Sequence, residues 1–111
     1  MNPTVLPATN PPRRAAALRY EPTGADALRG PRLAAKGERR IADEIIERAR
    51  AAGVPVHESR ELVALLMQVD LDAHIPPALY VAVAEVLAWA YRLERQAPPV
   101  AVASSSLDSP S

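Results

Sequence analysis

Residues 77–96, PALYVAVAEVLAWAYRLERQ, carry the clearest structural signal in the chain. The apolar residues recur at the spacing of an amphipathic α-helix. A proline in the first turn costs no hydrogen bond, because the first amides of a helix have no partner within it. We therefore predict a core helix over residues 77 to about 96. Its expected buried side chains are Leu79, Val83, Val86, Leu87 and Ala90, with Val81 and Trp89 broadening the stripe.

Two more helical patterns precede this helix. Residues 38–52 place apolar side chains on one stripe, and Gly37 and Gly53 mark the start and the end of the pattern. The stripe consists of Ile41, Ile45, Ile46 and Ala49. Residues 61–69 form a shorter apolar pattern. It predicts a second helix that buries Leu62, Val63, Leu65, Leu66 and Val69.

Three short segments are predicted to be extended. Residues 15–20 form an apolar run that ends at the turn signal of residues 21–24, and residues 33–36 are a weaker candidate. Residues 54–56 read Val-Pro-Val, and a proline cannot donate to a strand ladder, so this segment belongs at a sheet edge or at a strand start. Strands that alternate with helices predict the α/β class, with a small mixed β-sheet packed with three or four helices.

Composition limits the chain to one small core. The 111 residues allow a single compact domain, and its interior must be built from Leu, Ile, Val and Ala because Phe is absent. The net charge is zero and there is no Cys, which leaves the partner open and excludes disulfides and Cys-type zinc sites. Neither a spanning apolar run nor a secretory signal is present, so we expect a cytoplasmic protein with no direct membrane insertion.

Proline-rich segments divide the chain into three parts. Residues 1–12 are expected to be a flexible N-terminal segment or a frayed edge strand, because Pro7 interrupts the extended run of residues 4–9. Residues 13–96 are expected to form the folded domain. Residues 97–111 are rich in Pro, Ser and Ala and show neither helical nor strand period, which predicts a disordered tail.

Two polar clusters raise the question of catalysis. The first consists of Asp70, Asp72 and His74, and the second of His57, Glu58 and Glu61. The first has a spacing that suits a hard cation, but the same residues solvate a loop and favour a helix N-terminus. The second suggests a general base, yet no Ser or Cys nucleophile motif accompanies it. We therefore expect loop and cap roles, with no metal, no cofactor and no enzymatic turnover.

Charge is unevenly distributed along the chain. The first 50 residues carry a net charge of about +4 and the remainder about −4. A basic face made of Arg13, Arg14, Arg39 and Arg40 would suit nucleic acid. Stacking aromatics and a Gly-rich loop do not accompany it, so a solvated face is the favoured interpretation and we expect no nucleic-acid partner.

The dipeptide Asn10-Pro11 has a specific chemical property. Pro11 has no backbone N–H, so the usual succinimide route through the following amide nitrogen is closed. The side-chain amide of Asn10 can still attack its own carbonyl carbon, and that route breaks the chain. Most Asn-Pro pairs are simply turns, and Asn2-Pro3 shows how common the dipeptide is.

The segment that contains this dipeptide carries a family resemblance. Residues 10–22, NPPRRAAALRYEP, resemble the stretch Asn-Pro-Thr-His-Tyr-Ala-Val-Ala-Leu-Lys-Tyr-Asp-Pro of the FlhB/YscU family, the switch proteins of flagellar and virulence type III export. The likeness continues in order through residues 35–37, 41–42, 52–56, 61–66, 75–80 and 82–93. It covers about residues 10–93, which is nearly the whole predicted domain.

The resemblance implies a cytosolic domain that lacks the family's membrane-embedded half. Family members cleave themselves at Asn-Pro, with the following Thr and His supporting the reaction. Here Pro12 and Arg13 occupy those two positions, so only Asn10 and Pro11 carry over, as a vestigial cleavage site. An arginine cannot accept a proton near neutrality, so we predict slow or absent cleavage and no catalytic residues.

The resemblance also implies a role. We expect a bacterial FlhB-like accessory protein of a type III, flagellar-type export apparatus, peripheral at the inner-membrane export gate. Its partners would be export-gate proteins and export substrates, and it would influence substrate recognition or the substrate-specificity switch. The expected binding residues are Pro12, Arg13, Arg14, Arg39 and Arg40. The alternatives are a single-turnover Asn-Pro autoprotease of the same family and an unrelated nucleic-acid-binding α/β module.

Overall fold

A computed structural model describes residues 12–21, 23–24, 28–94 and 99–104. The strands in this part of the chain are β1 (Arg14–Arg19), β2 (Arg32–Glu38), β3 (Val56–Glu58) and β4 (Val100–Ser104). The helices are α1 (Arg40–Ala51), α2 (Arg60–Leu66) and α3 (Tyr80–Glu94), and a 3₁₀ turn over Pro77–Leu79 leads into α3. Four strands in a mixed sheet with three helices confirm the predicted α/β class.

The four strands form one sheet in the order β2-β1-β4-β3. Strand β1 is antiparallel to both of its neighbours, and β3 runs parallel to β4. Strand β3 lies at one edge and begins directly after Pro55, which confirms the edge position predicted from the missing proline donor. The Pro55 carbonyl still accepts a hydrogen bond of 3.0 Å from the backbone N–H of Ala101.

The predicted disordered tail is wrong for Val100–Ser104, because this segment forms β4 at the centre of the sheet. All five residues are buried. Valine alternates with alanine along the strand, so Val100 and Val102 reach the main core while Ala103 packs on the opposite face. Composition concealed this pattern, because the strand lies between prolines and serines. Residues 97–98 and 105–111 lie outside the described part of the chain, as do residues 1–11 at the N-terminal end.

The core has a large and a small side. On the large side, α2 and α3 cover β1 and β4, and the buried cluster there is Ala16, Leu18, Leu33, Leu62, Val63, Leu66, Val69, Ile75, Val83, Val86, Ala90, Val100 and Val102. On the small side, α1 packs through Ala42 onto Ala15 and Ala103. These three residues have only a methyl side chain, which lets the helix approach the sheet closely.

Helix α1 differs from its prediction in both start and face. Gly37 was expected to open it, but Gly37 and Glu38 complete β2, where they pair with Ala15 and Arg14 of β1. The ladder hydrogen bonds to β1 therefore decide the conformation at these positions. Helix α1 then begins at Arg40 and buries Ala42 and Ala49, while Ile41 is 53% exposed and Ile45 and Ile46 are partly buried.

Helix α2 begins and ends on specific hydrogen bonds. Ser59 is the N-cap, and its Oγ accepts a bond of 3.2 Å from the Leu62 amide. At the other end, Lys36 of β2 donates from Nζ to the carbonyls of Met67 (3.0 Å) and Val69 (2.8 Å). These bonds satisfy acceptors beyond the last turn and place a positive charge at the negative end of the helix dipole. Of the predicted buried stripe, only Leu65 is exposed.

Helix α3 confirms most of its sequence-based prediction. Val83, Val86 and Ala90 are buried, and Leu79, Leu87 and Trp89 are partly buried against the same cluster. Val81 is 75% exposed, so it does not broaden the core stripe as predicted. Over the described residues, neither α3 nor any other helix has the length and apolar character needed to cross a bilayer.

Candidate functional site

The arginines predicted to form a binding face come together in space. The backbone amide of Arg39 donates to the carbonyl of Arg13 at 2.8 Å, which joins the start of β1 to the start of α1. Arg14 and Glu38 are cross-strand neighbours, and Arg40 is exposed at the first turn of α1. Pro12 is half-buried beside Arg13. The structure thus groups all five predicted residues at one corner of the sheet, which we call the arginine corner (Pro12, Arg13, Arg14, Arg39 and Arg40).

Two of these arginines are matched by carboxylates of the same chain. Arg13 makes a two-pronged contact with Asp43, in which Nε lies 2.7 Å from Oδ1 and Nη2 lies 2.7 Å from Oδ2. The Nε atom of Arg14 lies 3.3 Å from Oε2 of Glu38, outside hydrogen-bond geometry. The hydrogen bonds from Arg13 lower the pKa of Asp43, and the same contact raises the pKa of Arg13. The positive potential of the corner is therefore carried mainly by Arg39 and Arg40.

Arg39 adopts a backbone conformation that L-amino acids disfavour. Its φ is 56° and its ψ is −120°, a combination that glycine adopts most readily. The conformation lets the Arg39 amide reach Arg13 while the Arg39 carbonyl accepts from the amide of Asp43 at 2.9 Å. The two hydrogen bonds of the strained Arg39 backbone thus connect the start of β1 to α1.

A second site is an apolar groove on the opposite side of the sheet. We call it the tyrosine groove, and its volume is about 410 Å³. The end of β1, the loop before β2 and one face of α3 form its walls. The lining residues are Tyr20, Leu28, Gly30, Pro31, Tyr80, Val83, Ala84 and Leu87.

The tyrosine groove combines an apolar floor with polar edges. Leu28 is 96% exposed and Tyr80 is 42% exposed, so large apolar surface is open to solvent here. Gly30 has φ of 83°, and a Cβ atom at this residue would make an ordinary contact of 3.7 Å with Cε1 of Tyr80. Glycine is favoured here because of the positive φ of the turn. The phenol hydroxyls supply hydrogen-bonding groups beside apolar surface, which suits a peptide segment.

Sequence reasoning did not identify the tyrosine groove. Its residues come from three separated segments, and each segment alone looks like a strand end, a turn or a core helix. The available signal was the presence of Tyr20 and Tyr80 in stretches that resemble the FlhB/YscU family. Neither tyrosine falls on a predicted core stripe, and only tertiary packing brings them together.

The two polar clusters lie in separate parts of the described structure. In residues 12–21, 23–24, 28–94 and 99–104, the structure places no three metal-ligating side chains close enough to hold an ion. His57 instead packs edge-on against Trp89, with ring centroids 5.1 Å apart. It lines a cleft with Ser59, Glu61 and Glu85. Asn10 and Pro11 lie outside the described residues.

The fold and the two surface sites define a class of protein: a small mixed-sheet α/β domain that presents an apolar groove and a basic corner. Comparison with known sequences supplies the family. The family model described as "FlhB HrpN YscU SpaS Family" matches residues 6–90, which is most of the chain. The chain belongs to this family, which confirms the resemblance found in the sequence. Strand β4 lies beyond the matched residues.

Individual relatives fall into a short and a long group. The chain is 43% identical over 84 residues to YlqH of Bacillus subtilis, described as an uncharacterized protein, and the match covers 76% of this chain and 87% of YlqH. It is 42% identical over 88 residues to the flagellar biosynthetic protein FlhB of Yersinia enterocolitica, covering 78% of this chain and 22% of that protein. It is 40% identical over 80 residues to the hypersensitivity response secretion protein HrcU of Ralstonia nicotianae, covering 72% of this chain and 22% of HrcU. The matched part is thus about a fifth of the long relatives, and family membership supports a role associated with type III protein export.

Proposed function

We propose that the protein is an FlhB-like accessory component of a flagellar-type type III export apparatus. It would dock at the cytoplasmic face of the export gate and influence which substrates are recognised. The observation that carries this proposal is the tyrosine groove, an open apolar site on a domain whose family is associated with export. The flagellar assignment follows the FlhB relatives, among which the Yersinia protein shares 42% identity.

The tyrosine groove suits an extended apolar segment of an export substrate. An apolar side chain that packs between Leu28 and Tyr80 would displace water from both partners, and burying one such side chain contributes about 1.5–3 kcal/mol. The hydroxyls of Tyr20 and Tyr80 can satisfy polar groups of the bound backbone. A site of this size makes few contacts, so we expect weak and rapidly reversible binding. Fast release suits a component that handles many substrates in turn.

The arginine corner is the proposed contact with the gate. Arg39 and Arg40 are exposed, whereas the Arg13 charge is already matched by Asp43. Arg39 and Arg40 would therefore bind acidic surface, and Arg13 would position the backbone that presents them. Carboxylates of the same chain beside Arg13 and Arg14 also weaken the nucleic-acid alternative, because anions of the chain compete for those guanidinium groups.

The protein is proposed to act by binding and without self-cleavage. Arg13 stands where the family has an imidazole, and its guanidinium is held by Asp43. A guanidinium in that state supplies no base for activating Asn10. The autoprotease alternative therefore has the Asn10-Pro11 dipeptide in its favour but has Arg13 in place of the imidazole that the resemblance implies.

The test is secretion of early and late export substrates in cells whose FlhB protein lacks its cytosolic part, with this chain supplied separately. We expect the chain to restore secretion. The variant Leu28→Asp, which places a charge at the groove on an almost fully exposed residue, should abolish this restoration without unfolding the protein. The matched control is Leu71→Asp, which changes an exposed leucine outside the groove. Equal secretion with the two variants would contradict the groove assignment, and no restoration by the unchanged folded chain would contradict the export role.

A further inference from the structure

A cleft between α2 and α3 is separate from the tyrosine groove and the arginine corner. We call it the acidic cleft, and its volume is about 370 Å³, within the range of about 300–1,000 Å³ that is typical of ligand sites. It shares no lining residue with the tyrosine groove, although α3 contributes to both. The lining residues that carry the argument are His57, Glu61, Leu62, Leu65, Glu85 and Val86.

The floor of the acidic cleft is apolar and partly open. Leu62 and Val86 are buried in the main core, whereas Leu65 is 46% exposed. Leu62 and Leu65 are three residues apart in α2, which makes them neighbours on one face of the helix. Leu65 therefore extends the apolar floor of the cleft out to the solvent. A partner that covers Leu65 removes this apolar surface from water, which favours binding.

The rim of the acidic cleft carries negative charge. Glu61 of α2 and Glu85 of α3 are both exposed, and neither makes an ion pair within the described residues. The basic residues closest to them in their helices are Arg60 and Arg92, and neither lines the cleft. Both carboxylates are thus available to a cation from another molecule.

This imbalance of charge is a property of the cleft and does not follow from composition. The whole chain has thirteen basic and thirteen acidic side chains. An opening beside α1 is lined by both Glu44 and Arg48, and another opening is lined by two arginines and two carboxylates. The acidic cleft is lined by two carboxylates and by no Lys or Arg. Its matching occupant is therefore a group that combines positive charge with apolar surface.

We propose that the acidic cleft docks an arginine of a partner protein, on a segment that also carries an apolar side chain. The planar guanidinium has five donors for the carboxylates of Glu61 and Glu85, and its methylene stem packs on the apolar floor. The ring of His57 forms part of the wall and is held edge-on by Trp89, with ring centroids 5.1 Å apart. A guanidinium stacks on rings better than an ammonium, so arginine is favoured over lysine. The neighbouring apolar side chain covers Leu65. The proposal goes beyond the export role and does not rest on it.

Titration of the full chain with a peptide tests the proposal. The probe is the capped peptide Ser-Leu-Arg-Ala-Leu-Arg-Ser, and binding is followed by backbone amide NMR shifts. We expect saturable shifts at Glu61, Leu65 and Glu85, weaker binding of the same peptide with lysine in place of arginine, and no binding of the peptide with glutamate there. Absence of saturable shifts at these three residues would overturn the proposal, and so would equal binding of the arginine and glutamate peptides.

A double variant tests the two carboxylates. Glu61→Gln combined with Glu85→Gln keeps the shape of both side chains and removes both charges, and it should weaken binding of the arginine peptide about fivefold. The matched control combines Glu44→Gln with Glu47→Gln, which removes two exposed carboxylates from α1 and changes the net charge equally. Equal affinities of the two double variants would overturn the assignment of the cleft.

Two further measurements exclude other occupants. If Leu28→Asp abolishes binding of the arginine peptide while the Glu61 and Glu85 variant leaves it unchanged, the peptide occupies the tyrosine groove and the proposal is overturned. If the amide shifts of the cleft change with protein concentration in the absence of peptide, a second copy of the chain fills the cleft, which also overturns the proposal. Secretion tests the export role separately, so the two can fail independently.

Discussion

Replacing Lys36 by methionine should destabilise the fold more than removing any exposed charge of the arginine corner. Nζ of Lys36 is part-buried and donates to the carbonyls of Met67 and Val69, at 3.0 Å and 2.8 Å. Methionine keeps the length and most of the apolar contact of the side chain but removes both donors and the charge. Two carbonyls at the end of α2 then lose their partner.

The magnitude follows from those two bonds. A hydrogen bond to a charged group contributes about 1.5–3 kcal/mol, and two bonds that share one ammonium are less than additive. We therefore expect Lys36→Met to lower the free energy of unfolding by about 3 kcal/mol. For a domain of this size, that corresponds to a melting temperature lowered by roughly 10–20 °C. Lys36→Arg keeps the charge and some donors, but with a different geometry. Its free energy of unfolding should therefore lie between those of the unchanged protein and Lys36→Met.

Urea unfolding followed by the fluorescence of Trp89, the single tryptophan, measures this difference. Trp89 packs against the main core and so reports its integrity. The matched control is Arg40→Met, which removes an exposed charge at the start of α1 and should change stability by no more than about 0.5 kcal/mol. Lys36→Met and Arg40→Met with equal unfolding midpoints and slopes would refute the reasoning.

Four further outcomes are expected. Asp43→Asn should lower stability at neutral pH. Folding lowers the pKa of Asp43, so the loss of unfolding free energy in Asp43→Asn should be complete above the pKa that Asp43 has in the unfolded chain. This loss should vanish as the pH falls through the pKa that Asp43 has in the folded protein. Urea midpoints measured across pH test this dependence. Arg39→Gly should raise the unfolding free energy by about 1 kcal/mol, since glycine relieves the positive φ, and an unchanged or lower melting temperature would contradict the strain. Val102→Asp should abolish cooperative unfolding in calorimetry, because it buries a charge at the centre of the sheet, whereas Val81→Asp should not. The intact mass of the chain should persist at neutral pH, and a fragment beginning at Pro11 would show cleavage.

Sequence patterns predicted the elements whose conformation depends on residues close together in the chain. The spacing of Val83, Val86 and Ala90 defines α3 because a helix repeats on its own period, and the lost donor of Pro55 puts β3 at an edge. The start of α1 could not be found this way. Gly37 looks like a helix boundary, but pairing with Ala15 keeps it in β2, and Ala15 lies far away in the chain. Strand pairing of distant segments overrode the local preference.

The candidate sites show the same difference between local sequence patterns and tertiary packing. The sequence suggested the five residues of the arginine corner as a binding surface, and the backbone bond between Arg13 and Arg39 brings its two parts together, while binding by this corner stays a prediction. Its charge balance was not predictable, because Asp43 meets Arg13 only through tertiary packing. Strand β4 and the tyrosine groove were missed for a related reason. Alternating small residues do not indicate a strand by themselves, because the pattern depends on neighbouring elements that bury both faces of the strand.

The position of β4 also governs when the fold can be completed. Ribosomal synthesis delivers β1, β2, β3 and all three helices before the strand that joins β1 to β3. Until Val102 emerges, β1 and β3 lack their common neighbour and the apolar core is unfilled. Pairing of residue 16 with residue 102 then closes a loop that spans most of the domain. The centre of this sheet is thus made after the other described elements, so its closure is expected to be slow, with the nascent chain open to chaperones until that strand is made.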